Sequence, residues 1–180
     1  MIIVRNGDIV LNILEDCDDN YYLLEKWYQT EDIYNNFEQR KLNFNEIKEK
    51  YKTRTSEDAK VPVYLINYKN NPVGIIQYKL VSEEDKELYE LDEDNIYEVD
   101  IFIGETDLHN LGIGSKSINL LSDYLFDKKK ANKIIMCPLS DNYKAIHCYK
   151  KCGFIEGKKF KTNDTIGELK EYILMEKTID

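Results

Sequence analysis

Hydrophobic positions in the first third of the chain recur with two different periods. Residues 9–14 alternate between apolar and polar, whereas two later segments repeat their apolar positions at helical spacing. Asp18 or Asp19 is placed to cap the first of these segments, and Asn43 or Asn45 to cap the second. Residues 29–44 are polar, aromatic and irregular. The pattern predicts one strand and two helices, at residues 9–14, 18–28 and 44–51.

β-Branched and aromatic residues fill the middle of the chain in three runs, at residues 61–68, 72–81 and 95–104. The short turn KNN separates the first two runs, so we expect them to form a hairpin. Residues 82–95 are acidic, and we expect a solvated excursion there. The three runs predict three consecutive strands.

Strands and helices alternate in the last third of the chain. Its strongest amphipathic segment, residues 115–128, places Ile118, Leu121, Leu125 and Phe126 on one face. A buried strand, a helix with a glycine stop and two final strands follow, near residues 133–136, 142–151, 154–160 and 170–177. The whole order predicts a single α/β domain over residues 1–180, with a mixed, mostly antiparallel sheet and helices on both faces.

Composition narrows the class of partner. Of the 180 residues, 42% are hydrophobic and 12% aromatic, as in folded proteins. The 25 basic and 34 acidic residues give a net charge of −9, which argues against nucleic acid. The same charge suits a cationic small molecule, although acidity that only keeps the protein soluble explains it equally well.

The cysteines and the apolar runs predict a cytoplasmic protein without a metal site. Cys17, Cys137, Cys148 and Cys152 form no CxxC pair, and no histidine completes a zinc pattern. We therefore expect reduced, mostly buried thiols. No apolar run approaches the roughly 20 residues that span a bilayer, and the N-terminus lacks the basic start of a signal peptide. These features predict no membrane association.

Gly112 and Gly114 stand between a predicted strand and a predicted helix, in the sequence HNLGIGS. Glycines at such a place let backbone N–H groups turn inward beside the free amides of a helix N-terminus, which favours phosphate. An ordinary strand-to-helix turn carries the same pattern, and neither a Walker loop nor the dinucleotide fingerprint is present. The glycine pair alone leaves both interpretations open.

A second pattern, on the following helix, is more specific. Asn142, Ala145, Tyr149, Gly153 and Phe154 have the spacing NxxAxxxYxxxGF. Together with HNLGIG, this pattern resembles the GNAT superfamily of acetyl-CoA-dependent N-acetyltransferases. The predicted order of elements resembles that family over the whole chain. The resemblance implies a GNAT fold whose sheet splays between the fourth and fifth predicted strands to admit the pantetheine arm of coenzyme A.

Several further blocks are similar to the aminoglycoside 6'-N-acetyltransferases of that superfamily. They are VDIFIGETDLHNLGIG, EKWYQTEDIYNNF, FNEIKEKY, NPVGIIQYKL and CPLSDNYKAIHCYKKCGF. The similarity implies acetyl transfer to an amine of a cationic small molecule, with acetyl-CoA as co-substrate and no metal. It leaves a monomer and a homodimer both open.

The resemblance also assigns coenzyme-binding roles. It implies that the glycine turn binds the pyrophosphate, that the fourth strand's backbone pairs with the pantetheine, and that the later helix faces the acetyl end. The implied residues are Ile101, Phe102, Ile103, His109, Asn110, Leu111, Gly112, Ile113, Gly114, Ser115, Asn142 and Ala145.

Asp100 and Tyr149 are the implied catalytic residues. Aminolysis of a thioester needs one group to take the proton of the amine and another to protonate the thiolate. An idle carboxylate is costly among the apolar neighbours of Asp100, although a solvent-facing Asp in an edge strand is the alternative. Tyr149 either donates the proton or is a core tyrosine. His147 and Cys148 are expected to pack or to face solvent, so direct transfer is preferred over an acetyl-cysteine intermediate.

Three positions bear on the choice of substrate. Glu105 either holds a second substrate amine or is merely a loop carboxylate. His109 stands where the family usually has Gln or Arg, which changes little because the cradle is mostly backbone. Cys137 stands where the aminoglycoside enzymes commonly carry an acid, and losing one charge-assisted contact of about 1.5–3 kcal/mol is enough to alter the substrate. Replacement acids are available in residues 82–98 and at Glu31 and Asp32.

The sequence therefore supports an acetyl-CoA-dependent N-acetyltransferase of a polycationic amine. The 6'-amine of an aminoglycoside, with antibiotic resistance as the role, is the first hypothesis. The alternatives are the same reaction on a polyamine, another cationic antibiotic or a siderophore precursor, and a non-catalytic coenzyme A-binding protein. The presence of both Asp100 and Tyr149 argues against the last alternative.

Overall fold

The computed structural model describes residues 2–179, with side chains from Val4 onward. Its strands are Ile2–Asn6 (β1), Ile9–Ile13 (β2), Val63–Tyr68 (β3), Asn71–Leu80 (β4), Ile96–Ile103 (β5), Lys133–Met136 (β6), Ile155–Asn163 (β7) and Leu169–Thr178 (β8). Its helices are Asp18–Tyr28 (α1), Glu31–Ile33 (α2), Phe44–Tyr51 (α3), Glu83–Tyr89 (α4), Ile113–Asp127 (α5) and Tyr143–Lys151 (α6). A π-helical turn, Tyr34–Glu38, follows α2, and a 3-10 turn, Thr106–Leu108, follows β5.

The strands form one sheet in the order β1-β2-β3-β4-β5-β6-β8-β7. Every neighbouring pair is antiparallel except β5 and β6, which run parallel. That parallel pairing extends only from Ile96 opposite Lys133 to Glu98 opposite Ile135. On its other edge β5 stays paired with β4 as far as Ile103. The mixed sheet that splays between the fourth and fifth predicted strands is therefore confirmed.

Helices cover both faces of the sheet, as predicted. On one face α1, α2 and α3 pack Tyr21, Trp27, Tyr28 and Tyr51 against Phe102 of β5 and its neighbours. On the other face α5 and α6 pack on a larger cluster, which includes Val99 of β5. Alternate side chains of one strand enter different clusters because successive residues of a strand point to opposite faces.

A side-chain cap fixes where α3 begins, whereas α1 has none. Asn43 accepts the amide of Glu46, and the Glu46 carboxylate accepts the amide of Asn43, which makes a complete capping box on α3. Asn43 rather than Asn45 is thus the cap. The prediction for α1 was wrong by one residue, since Cys17 occupies the cap position without a side-chain bond. Asp18 lies within the first turn and pairs with Lys48 at 2.9 Å.

Three parts of the chain differ from the prediction. Strand β1 is additional, and it pairs with the edge of β2. Residues 82–95 are not a solvated excursion: Ser82 caps helix α4, which buries Tyr89 with only 6% of its surface exposed. Residues 29–44 contain α2 and the π-helical turn, and they bury Leu42. In the last two segments a few apolar side chains among many polar ones hold the chain against the core.

The end of β5 is fixed by a close contact between Gly104 and the ring of Trp27. A Cβ atom placed on Gly104 would lie 2.3 Å from Trp27 Cγ, well inside van der Waals contact. The next residue, Glu105, accepts hydrogen bonds from Trp27 Nε1 at 2.9 Å and from Lys26 Nζ at 2.7 Å. This contact attaches the strand end to α1.

Substituting Gly104 by alanine should destabilise the protein by about 1–3 kcal/mol, because the buried indole ring has to move. Thermal unfolding followed by circular dichroism measures the change. Gly114→Ala is the matched control, since a Cβ atom there would meet its nearest neighbour at 3.9 Å, an ordinary contact. Equal melting temperatures for the two variants would contradict the close contact.

Candidate functional site

A cleft of about 560 Å³ opens where β5 and β6 separate. One wall is β5, and the opposite wall is α6 together with the Cys137-Pro138 segment that follows β6. Pro138 has no N–H group with which to continue a strand ladder, and its carbonyl accepts the amide of Ile173 in β8. The chain therefore turns from β5 towards β8, and the gap stays open.

Backbone groups of β5 face this gap. The carbonyl of Ile96 accepts from Val81, and the amide of Gly104 donates to Val73, so the even-numbered residues direct their backbone groups towards β4. Because these directions alternate along a strand, Val99, Ile101 and Ile103 present theirs to the cleft. Phe102 does not, since its carbonyl lies against Gly74 of β4. Of the three strand residues predicted to pair with pantetheine, Ile101 and Ile103 have suitable backbone groups.

The Asp100 carboxylate lies half-buried in the cleft wall. Its cross-strand neighbour Gln77 donates from Nε2 to Asp100 Oδ2 at 3.1 Å. Arg54 Nη1 in turn donates to Gln77 Oε1 at 3.2 Å, which orients the amide because a guanidinium can only donate. No residue of the described chain hydrogen-bonds to Oδ1 of Asp100, which leaves this oxygen for a bound amine.

Tyr149 lies on the α6 wall of the same cleft. Its ring packs against the core and stands 6.3 Å from the ring of Phe154. Burial, followed by the negative charges of Cys148 and Asp100, raises the pKa of Tyr149 well above its usual range. The hydroxyl group therefore remains protonated at neutral pH.

The glycine turn forms the far end of the cleft. Gly112 has a φ of 76° at the cap of α5, a left-handed conformation that favours glycine. Lys116 is the first residue whose amide bonds back along the helix, to the carbonyl of Gly112 at 3.0 Å. The amides of Ile113, Gly114 and Ser115 are left without helical partners, as at every helix start. Such a cluster attracts an anion.

His109 and Asn110 precede these amides and line the cleft too. His109 Nε2 donates to the carbonyl of Ile103 at 2.9 Å, so the imidazole ties the turn to the end of β5. Asn110 has a φ of 65°. Leu111 does not line the cleft, and 55% of its surface is exposed. The structure thus brings most of the predicted turn together but leaves the Leu111 side chain outside.

Asn142 and Ala145 begin the helix that carries Tyr149. The side chain of Asn142 caps α6 by accepting the amide of Ala145 at 3.2 Å. Both residues line the cleft. The Asn142 oxygen is used by the cap, so its Nδ2 group is the one available to a ligand.

Glu105 does not line the cleft. Its hydrogen bonds from Lys26 and Trp27 lower the pKa of this carboxyl below its usual range. The Glu105 carboxylate therefore has a structural contact: it links the end of β5 to α1.

Two cysteines line the cleft. Cys137 is half-buried, and burial together with the negative charge of Glu98 raises the pKa of its thiol well above the usual range. Cys148 packs against the core, as expected, and its Sγ also lies 3.3 Å from Ser115 Oγ. A hydrogen bond from Cys152 lowers the pKa of Cys148 despite its burial. His147 is exposed.

Sequence reasoning did not single out Glu98, a second carboxylate in the cleft wall. Only 8% of its surface is exposed. Its Oε2 atom lies 3.1 Å from Lys79 Nζ and accepts from the hydroxyl of Tyr89 at 3.3 Å. Burial and the negative charge of Asp100 raise the pKa of Glu98 to about 7. The signal was present, because Glu98 and Asp100 are two apart on one strand and so share a face.

Two structural features are absent from residues 2–179: a membrane-spanning helix and a cluster of metal ligands. No helix in that range is long and apolar enough to cross a membrane. Within the same range, no group of three or more His, Cys, Asp or Glu side chains is arranged to hold a metal ion.

Comparison with known proteins places this cleft in context. Residues 16–162 match the family model described as an acetyltransferase (GNAT) domain. An aminoglycoside N(6')-acetyltransferase type 1 from Klebsiella pneumoniae is 23% identical over 152 residues, which cover 83% of this chain and 75% of that protein.

Solved structures show the same fold at low identity. Aminoglycoside acetyltransferase AAC(6')-Ib, in complex with coenzyme A and kanamycin, superposes with a TM-score of 0.77 at 20% identity, over 94% of each chain. A chimera of a spermidine N-acetyltransferase from Vibrio cholerae superposes with a TM-score of 0.73 at 20% identity, over 96% of each chain.

The raised pKa of Glu98 predicts that stability falls as pH rises. The folded state keeps a proton on Glu98 up to about pH 7, whereas the unfolded state loses it near 4.5, so stability declines across that window. Glu98→Gln should therefore melt higher than the wild type at about pH 8, by at least the roughly 2–4 °C that 1 kcal/mol makes at this size. Glu84→Gln, an exposed change of the same charge on α4, is the control. Parallel melting curves across this pH range would contradict the prediction.

Proposed function

The chain belongs to the family of acetyltransferase (GNAT) domains, and on that premise we propose that it transfers the acetyl group of acetyl-CoA directly to a primary amine of a cationic small molecule. One observation carries the proposal. A carboxylate, Asp100, and a protonated hydroxyl, Tyr149, line a cleft whose β5 wall has free backbone groups and which ends at a helix N-terminus.

The cleft suits the acyl donor at both of its ends. The amides of Ile113, Gly114 and Ser115 would bind the pyrophosphate, since they lack helical partners and form the positive end of α5. The backbone of Ile101 and Ile103 would pair with the pantetheine amides, and Asn142 Nδ2 would add a hydrogen bond. When bound, acetyl-CoA supplies an activated acyl group on a thiolate leaving group.

Asp100 and Tyr149 would carry out the proton transfers of the reaction. Asp100 Oδ1 would accept the proton of the substrate ammonium, which frees the nitrogen lone pair to form the new C–N bond. Tyr149 would donate its hydroxyl proton to the thiolate as the C–S bond breaks, and the second proton that the nitrogen loses as the amide forms would restore that hydroxyl. Backbone N–H groups of β5 would stabilise the charge on the thioester oxygen.

An aminoglycoside, acetylated at its 6'-amine, is the first candidate substrate. The Klebsiella pneumoniae relative is named for that reaction, and the similarity extends over 83% of this chain. A polyamine is the second candidate, because a spermidine N-acetyltransferase shares the fold. The net charge of −9 favours any polycation over a neutral amine.

The test is release of coenzyme A thiol from acetyl-CoA with a panel of amines that includes kanamycin, tobramycin and spermidine. Turnover of kanamycin with acetylation at the 6'-amine, read by mass spectrometry and NMR, is the expected result. Turnover of spermidine alone would refute the aminoglycoside substrate, and absence of coenzyme A binding would refute the use of acetyl-CoA. If the role is resistance, expression in a susceptible bacterium raises the inhibitory concentration of kanamycin.

Asp100→Asn should lower kcat by about 10²–10⁴, because the amide cannot accept the proton. The asparagine keeps the size of the side chain and its contact with Gln77. Steady-state rates with the best amine of the panel, together with coenzyme A affinity by calorimetry, give the measurement. An unchanged kcat would show that another group removes the proton.

Cys148→Ala should keep kcat within about threefold of the wild type, because direct transfer forms no bond to a thiol. Intact-protein mass spectrometry after acetyl-CoA is added, without an amine, should show no acetylated wild-type enzyme. Accumulation of an acetyl adduct that disappears in the variant, with loss of turnover, would establish an acetyl-cysteine route instead. Cys17→Ala is the matched control, because Cys17 lies at the cap position of α1 and does not line the cleft.

A further inference from the structure

Glu98 and Asp100 present two carboxylates to the cleft from one face of β5. Two residues of strand separate their Cα atoms by about 6.6 Å. Both groups line the cleft. The acyl donor would use the other parts of the site, namely the β5 backbone, the turn and α6. Glu98 therefore has no part in the reaction proposed above.

The contacts of Glu98 leave it incompletely neutralised. Lys79 and Tyr89 both bind its Oε2 atom, and no described residue hydrogen-bonds to its Oε1 atom. Lys79 is also shared, because it lies 3.1 Å from Asp85 as well. Glu98 is 92% buried and lines the cleft, and a cationic ligand would stabilise the charge of a carboxylate in such a place.

The ionisable side chains around Glu98 and Asp100 carry a net negative charge. Lys79 faces Glu98 from β4, Asp85 and Tyr89 face it from α4, and Cys137 faces it from the end of β6. Further out, Arg54 is bonded to Gln77, and Lys50 is paired with Glu38. With Glu98 ionised, three cations stand against four carboxylates, which are Glu38, Asp85, Glu98 and Asp100. The surplus charge lies in the wall of the cleft.

We propose that Glu98 binds a second ammonium group of the substrate, beside the nitrogen that Asp100 deprotonates. The inference rests on the proposed function, and it narrows the substrate class to amines with at least two cationic centres. Glu98 is then a specificity-determining residue, and a monoamine gains nothing from it.

Cys137 is a position at which a carboxylate can be introduced to replace that of Glu98. Ile135 is the register partner of Glu98, and Cys137 lies two residues further along on the same face of the sheet. The negative charge of Glu98 helps to raise the pKa of the Cys137 thiol, which shows that the two side chains are close. In a double variant, Glu98→Gln with Cys137→Asp, a carboxylate returns to the same end of the cleft from the neighbouring chain segment.

Binding measured by calorimetry on the coenzyme A-saturated protein tests the proposal without any turnover. The probes are two matched pairs, kanamycin with 6-amino-6-deoxyglucose and spermidine with n-butylamine. At about pH 8 we expect Glu98→Gln to weaken binding of at least one polycation by about 10- to 100-fold. Binding of its matched monoamine should stay unchanged. The double variant should recover most of the lost affinity, and Glu84→Gln should bind like the wild type.

The wild-type protein supplies a second measurement that needs no variant of Glu98. Protonation of Glu98 should make the Kd of the polycation rise from about pH 8 to about pH 6 by more than the Kd of the matched monoamine, since the ratio cancels the effects of pH that both probes share. Equal ratios at both pH values would overturn the proposal, as would equal losses for both probes in Glu98→Gln or no polycation binding at all. Polycation binding that depends on Glu98 but is not followed by acetyl transfer would support this inference and refute the proposed function.

Discussion

The early end of the β5–β6 pairing is the constraint from which the rest of the site follows. Three residues of each strand pair, and then Pro138 directs the chain towards β8. A strand inside a sheet would normally use its backbone groups on both edges. Beyond that pairing, the backbone groups of Ile101 and the amide of Ile103 have no partner strand, and burial makes such groups costly unless a ligand satisfies them. The gap and the groups that require a ligand therefore have one cause.

Successive side chains of β5 point to opposite faces of the sheet, so apolar and acidic side chains of this strand lie on different faces. Odd-numbered side chains such as Val99 and Ile101 face the apolar cluster under α5 and α6, where the acyl donor would lie. Of the even-numbered side chains, the two acids face polar groups on the other side: Asp100 contacts Gln77 of β4, and Glu98 contacts Lys79 of β4 and Tyr89 of α4. One strand thus supplies backbone to one substrate and carboxylates to the other. A short, rigid element is enough to set their relative positions.

The glycine turn and the start of α6 were predictable from the sequence, and the surroundings of Glu98 were not. The turn at Gly112 and the start of α6 at Asn142 have short-range signals, namely glycine at positive φ and a capping side chain. The other side of the cleft depends on α4 and on residues 29–44, where single apolar residues such as Tyr89 and Leu42 anchor mostly polar segments. Periodicity does not reveal such anchors, because only tertiary contact distinguishes them from loop residues. The Glu105 contact with Trp27 is likewise a product of packing.

The register of β5 against β4 decides which face of the sheet carries Glu98 and Asp100. A slip of one residue would carry Glu98 and Asp100 to the apolar face under α5. Two direct cross-strand pairs oppose that slip, Lys79 with Glu98 and Gln77 with Asp100. The same contacts that position the carboxylates therefore also fix the register on which their position depends. Changes of substrate in this scaffold should accordingly be sought at Cys137, where a side chain can change without breaking either cross-strand pair.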